Sequence, residues 1–153
     1  MNVSTRRPGG VSIAFAAVKI SDALEYVEQE PNDTSEQANA IAIGASVNGR
    51  FEKSGDIDRF AFDAKAGQRF EFAGISRQAG APSDLMLRIY NAAGQQVAAV
   101  DDVGPAEGLL NYAFPADGRY TLAVHDLNRR GGPAYSYRVG VTPHQSGFTL
   151  QST

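Results

Sequence analysis

The run Asp58-Arg59-Phe60-Ala61-Phe62-Asp63-Ala64-Lys65-Ala66-Gly67-Gln68-Arg69-Phe70-Glu71-Phe72 holds two stretches in which large apolar residues fall on every second position. Phe60 and Phe62 alternate with Arg59, Ala61 and Asp63, and Phe70 and Phe72 alternate with Arg69, Glu71 and Ala73. In an extended chain successive side chains point to opposite faces, so each stretch is a strand with one buried and one wet face. The same period recurs downstream in Leu85/Leu87/Ile89, Tyr120/Leu122/Val124 and Tyr137/Val139/Val141. One-sided burial is antiparallel behaviour, because strands of a parallel sheet are covered on both faces.

The connectors Ala64–Gly67, Asn91–Gly94 and Pro115–Gly118 are short and end on glycine, as turns with positive φ require. Strands at this spacing predict an all-β chain, an antiparallel β-sandwich of about eight strands. The one helical expectation is a short segment over Ser35–Ala42, with Thr34 as its cap and Glu36 favouring its N-terminal dipole.

Composition narrows the function classes. The chain has 153 residues, net charge −3, no cysteine and two histidines, His125 and His144. This excludes a disulfide framework, a thiolate zinc site and a multi-histidine metal centre. The acidic balance argues against nucleic-acid binding. No apolar run approaches the roughly 20 residues of a membrane helix, so no membrane insertion is expected. Arg6, Arg7 and apolar Val11–Val18 loosely mimic a secretory signal, but Lys19 breaks the apolar stretch early. Residues 1–26 therefore read as a linker or extra strand, 27–143 as the sandwich, and 144–153 as a tail towards a following domain.

The densest acidic stretch is Glu28-Gln29-Glu30-Pro31-Asn32-Asp33. Pro31 biases Glu30 away from helix, and in an extended chain Glu28, Glu30 and Asn32 project to one side. Asp33 sits beside them at a turn. A second pair, Asp56 and Asp58, shares one side of the segment just before Phe60. Together these six residues offer the hard oxygen donors that calcium takes in numbers of six to eight. The other reading of the same residues is a solvated acidic linker followed by an ordinary Gly-Asp turn.

Glu28-Gln29-Glu30-Pro31-Asn32-Asp33-Thr34, Gly55-Asp56-Ile57-Asp58-Arg59-Phe60, Ala116-Asp117-Gly118-Arg119-Tyr120 and Tyr135-Ser136-Tyr137-Arg138-Val139 resemble the bacterial pre-peptidase C-terminal domain. That family includes the collagen-binding domains of clostridial collagenases. The resemblance runs from about Val27 to Thr142 and implies a jelly-roll-like sandwich. It also implies calcium at Glu28, Glu30, Asn32 and Asp33, with Asp56 and Asp58 matching the downstream aspartate pair. The aromatic collagen-contacting surface has no match here, so collagen binding does not carry over. The expected role is a non-catalytic, monomeric accessory module of a secreted or cell-surface protein. Its expected partners are neighbouring domains and an extracellular polysaccharide or protein matrix. The alternative role is a metal-free spacer.

Other candidates are weaker. Asp84, Asp101, Asp102 and Asp126 stand at strand ends and could gather at one rim as a second cation or sugar site, although aspartates there more often simply form turns. His125-Asp126 invites a catalytic reading, but neither G-x-S-x-G nor H-E-x-x-H is present. Arg129-Arg130-Gly131-Gly132-Pro133 reads as a basic hairpin tip. Tyr112, Tyr120 and Tyr137 read as core, which leaves Tyr90 and Tyr135 as exposed rings that could stack on a glycan.

Overall fold

The computed structural model describes residues 22–103 and 106–144. Ahead of them it describes only the paired two-residue strands Asn2–Val3 with Ala16–Ala17, and Arg6–Arg7 with Gly10–Val11. The strand expected over residues 11–20 and the tail beyond His144 lie largely outside the described residues.

Ten strands build two facing sheets. They are β1 (Glu25–Val27), β2 (Asn39–Ala40), β3 (Ser46–Arg50), β4 (Asp58–Ala64), β5 (Arg69–Ile75), β6 (Leu85–Tyr90), β7 (Gln96–Val100), β8 (Leu109–Ala113), β9 (Gly118–Asp126) and β10 (Ser136–Pro143). One sheet has the order β7-β6-β9-β4-β2 and the other β8-β5-β10-β3-β1. The sandwich is the expected one, with ten strands in place of about eight. Most neighbours are antiparallel, as the alternation requires. The two N-terminal strands depart from this, since β1 joins β3 and β2 joins β4 in parallel.

The connector Ala64–Gly67 is not a hairpin turn. It carries the chain from β4 in one sheet to β5 in the other, with Gly67 at φ 82°. The two alternating phenylalanine pairs therefore face each other across the sandwich. Phe62 lies at the centre, with ring centroids 5.6 Å from Phe72, 5.8 Å from Phe114 and 6.2 Å from both Phe70 and Tyr120. Val47, Phe60, Leu85, Leu87, Ile89, Leu122, Val124, Val139 and Val141 complete the buried layer. Strict alternation breaks at Ala123, which faces outward yet is buried. It stands in register between Arg88 and Arg59, whose long stems shield a small side chain.

The helix expected over Ser35–Ala42 does not form. Residues 35–37 make a single turn closed by the Gln37 amide on the Thr34 carbonyl (3.2 Å), and Asn39–Ala40 is strand β2. Edge pairing wins locally. The Ile41 amide donates to the Ala61 carbonyl (2.9 Å), which seats the Ile41 side chain in the core. The Asn39 side chain both accepts from and donates to the Gln29 backbone (2.7 and 3.0 Å). Among the described residues the one helical piece is a 3₁₀ turn, Arg77–Ala79. No helix there is long and apolar enough to cross a membrane.

Candidate metal centre

Residues 28–38 leave β1 at the edge of one sheet and reach β2 at the edge of the other, so they cross one end of the sandwich. The start of β4, the start of β10 and the loops 52–57 and 127–132 meet at that end. The crossing segment brings its carboxylates onto Asp58. Ligand oxygens of Glu28, Glu30 and Asp58 all lie within 4.8 Å of one another. Two oxygens that share one calcium at about 2.3–2.6 Å cannot be further apart than about 5 Å. The spacing therefore fits a single cation of that kind.

Each carboxylate is held by a backbone or buried group. Glu28 Oε1 accepts the Arg50 amide at 2.6 Å. Glu30 Oε2 accepts the Asn32 amide at 3.0 Å. The Tyr137 hydroxyl donates to Asp58 Oδ2 at 2.6 Å and stands 3.2 Å from Glu28 Oε2. Asp56 Oδ2 accepts the Glu52 amide at 2.5 Å. Asp33 Oδ2 accepts from Lys53 Nζ at 2.9 Å, and its Oδ1 faces the Ile57 amide at 3.4 Å. The Glu30–Pro31 peptide bond is cis.

Several polar atoms here are buried without a hydrogen-bond partner: Asn32 Oδ1 and Nδ2, Asp56 Oδ1 and Asp58 Oδ1. Asn32 and Asp58 have no exposed surface. Buried polar groups are satisfied in the great majority of cases, so oxygens left without a hydrogen bond beside a carboxylate cluster are acceptors that a cation could satisfy. The donors are all oxygen, with no sulfur or imidazole, which suits calcium rather than zinc.

The electrostatics agree. Burial, with the Glu28 charge adding to it, pushes the Asp58 carboxyl up to about 9 despite the Tyr137 hydrogen bond. Burial also raises Glu28 and Glu30, and for Glu30 the charges of Asp56 and Asp33 act in the same sense. Asp33 behaves oppositely, because the Lys53 hydrogen bond holds its carboxyl low. Burial of these carboxylates thus disfavours their charged forms, most strongly at Asp58.

All six expected site residues come to this end of the sandwich. Glu28, Glu30 and Asp58 form the close cluster, Asn32 and Asp56 are buried beside it, and Asp33 is half-exposed under Lys53. Three participants were not in the expected set. Alternation places Tyr137 in the core, where it lies, but a buried phenol needs a partner, and its position opposite Gly49 aims it here. Gly49 itself lies inside a strand, a sign of close approach. A Cβ there would overlap the Tyr137 hydroxyl and the Glu28 carboxylate. Lys53 carries no signal in the sequence.

Asp126, His125, the 129–133 tip and the tyrosines have structural partners. Both Asp126 oxygens are taken, by the amides of Asp84, Asn128 and Arg130 and by the Arg130 guanidinium. Asp126 burial is outweighed by Arg130, so this carboxyl is held low. His125 Nδ1 meets the Asp126 backbone carbonyl at 3.2 Å and not its carboxylate, so the two form no catalytic dyad. The Arg129–Pro133 tip packs on the site loop instead of projecting. The Arg129 carbonyl accepts from the Gly55 amide (3.0 Å) and the Ser54 hydroxyl (2.7 Å). Tyr90 and Tyr135 are half-buried and carry the guanidinium groups of Arg59 (5.1 Å) and Arg130 (5.6 Å), so neither ring stands free for a glycan. Tyr112, expected in the core, is only partly buried at its margin.

No family model matches the chain. It is 33% identical over 129 residues to a probable subtilase-type serine protease of Deinococcus radiodurans. That match covers 82% of this chain and 17% of the relative, so the chain spans about a sixth of the protease's length. The pre-peptidase C-terminal domain of a Bacillus anthracis collagenase superposes with a TM-score of 0.57 at 13% identity, covering 75% of this chain and 100% of that domain. A periplasmic inhibitor of g-type lysozyme from Aeromonas hydrophila superposes with a TM-score of 0.50 at 18% identity, covering 77% of this chain and 99% of the inhibitor. At these identities the two superpositions establish a shared fold.

Proposed function

We propose that this chain, which has the fold of a pre-peptidase C-terminal domain, is a non-catalytic accessory module that binds calcium within a larger secreted or cell-surface protein. One observation carries the metal reading: Asn32 and Asp58 bury side-chain oxygens that accept no hydrogen bond beside the Glu28–Glu30–Asp58 cluster. Glu28, Glu30, Asp58, Asp56 and the Asn32 amide oxygen would hold the ion, with Asp33 at the rim. The ion would supply the positive charge that lets these carboxylates ionise while buried. The modular reading is supported by the match to a segment of a subtilase-type protease. The folded unit is taken as residues 25–143, slightly longer than the 27–143 expected, because β1 begins at Glu25. Neighbouring domains of the parent chain are its proposed partners.

The test is a thermal melt with millimolar calcium against the same protein in chelator. Binding to the folded state alone stabilises by about 2.7 kcal/mol at a hundredfold excess over Kd. For a chain of this size that is a rise in Tm of roughly 5–10 °C. Glu30→Ala and Asp56→Ala should each remove most of the rise. Identical melts, with no calcium bound by calorimetry, would leave the spacer role in its place.

A further inference from the structure

Lys53 occupies an unusual place. Its ammonium lies 2.9 Å from Asp33 Oδ2 and 3.5 Å from Asp56 Oδ1, so it bridges two carboxylates that belong to different segments. Asp56 is buried and this Oδ1 has no hydrogen bond, whereas the Lys53 side chain is 65% exposed. The bridge is therefore an ion pair made from the solvent side.

The backbone beneath Lys53 is fixed. The Asp56 amide donates to its carbonyl at 3.3 Å. Gly131 packs so closely on the Lys53 main chain that a Cβ there would overlap it. The side chain above is a long, flexible stem that can swing away without disturbing the loop. Of the other nearby cations, Arg50 is committed to the Glu52 carboxylate and Arg59 to the Asp33 carbonyl (2.9 Å), while the Arg129 guanidinium packs over Gly55.

We infer that Lys53 is a tethered competitor for the cation. It neutralises Asp33 and Asp56 when no metal is bound, and it leaves their oxygens when a divalent ion arrives. The inference rests on the calcium reading above and adds what sets the affinity of that site. An ammonium on the rim taxes binding twice. It must be displaced from the oxygens, and its charge repels the incoming ion. Removing it should tighten calcium binding roughly three- to tenfold, the range expected for a unit charge on a swung-out side chain acting on a divalent ion from about 6–13 Å in water. Lys53 thus tunes the site towards calcium-rich surroundings.

The experiment is calorimetric titration of calcium chloride into the full chain as wild type, Lys53→Gln and Lys65→Gln. Lys65 pairs with Asp117 at the far end of the sandwich, so its variant makes the same change of net charge away from the site. Expected is a Kd three- to tenfold lower for Lys53→Gln, with Lys65→Gln matching wild type. Binding by Lys53→Gln where wild type shows none supports the inference as well. A wild type that binds calcium while Lys53→Gln binds no more tightly than Lys65→Gln overturns this inference and leaves the calcium site standing. No binding by any of the three overturns the calcium reading, and this inference with it.

Discussion

Gly49→Ala adds one methyl group at the point where two strands and the crossing segment meet. Gly49 faces Tyr137 across the β3–β10 ladder, and its φ is not in the left-handed region, so alanine fits the backbone. The obstacle is steric, because the new Cβ falls on the Tyr137 hydroxyl and ring and on Glu28 Oε2. Tyr137 cannot retreat, since its ring is buried and stacked on Phe51 with centroids 4.8 Å apart. Forcing it aside loses its hydrogen bond to Asp58, about 0.5–1.5 kcal/mol for a bond to a carboxyl that burial keeps protonated. Overpacking adds about 1–3 kcal/mol, and the backbone gain of alanine over glycine returns only about 0.5–1 kcal/mol. The net loss is about 0.5–4 kcal/mol, or a Tm lower by roughly 2–12 °C in chelator. Gly140→Ala is the control. It lies on the neighbouring strand, and its Cβ would meet nothing closer than the Ser46 hydroxyl at 3.7 Å. Its stability should stay level or rise by up to about 1 kcal/mol. Urea denaturation of both variants measures the difference. A Gly49→Ala protein as stable as Gly140→Ala would refute the close approach of Tyr137 and Glu28.

Stability should also depend on pH in a way that calcium removes. Asp58 is raised from 3.8 to about 9, so between those values the folded protein keeps a proton that the unfolded chain loses. Its contribution is complete below about pH 4 and fades as pH rises towards 9, at up to about 1.4 kcal/mol per pH unit. Melts in chelator should therefore fall across this window, melts in calcium should fall less, and calcium titrated at pH 7 should release protons. A flat profile in chelator would contradict the burial of Asp58. Glu107 offers a separate test, because its buried carboxylate accepts the amides of Ser76 and Arg77 (both 2.7 Å) and the Arg77 Nε (2.7 Å). Glu107→Ala should cost about 2–4 kcal/mol and hasten proteolysis near the Arg77–Ala79 turn without altering calcium affinity. At the core, Phe62→Ala should cost about 3–5 kcal/mol by urea melts, since its ring touches four other aromatics.

The sheets were legible because alternation is a local signal with one physical cause. Phe60/Phe62, Phe70/Phe72 and Tyr137/Val139/Val141 all point inward as their spacing requires. Which strand lies beside which was not legible. The Ala64–Gly67 turn has the chemistry of a hairpin, yet it bridges the sheets, because the two phenylalanine pairs are better buried facing each other than side by side. Propensity misled at Ser35–Ala42, where pairing with Ala61 and burial of Ile41 outweigh a capped helical turn. The acidic cluster was legible because Glu28, Glu30 and Asn32 alternate in one short extended segment, a local signal like that of the strands. Tyr137, more than 100 residues away along the chain from Glu28, was invisible as a site residue, because only folding brings a core-facing phenol to a carboxylate.

The parallel pairing of β1 fixes the geography of the module. Glu25, Ser46 and Gly140 stand in one row across three neighbouring strands. The chain therefore comes into the sheet and goes out of it at the same pole, roughly 10 Å apart by the ordinary strand spacing. The carboxylate cluster lies at the opposite pole, beyond Arg50 and Ser136. Tension applied through residues 25 and 143 would unzip hydrogen bonds one at a time from the near pole. The cluster would be the last part to feel the pull. A module held in this way within a longer chain would hang like a pendant, with its carboxylate cluster turned outward.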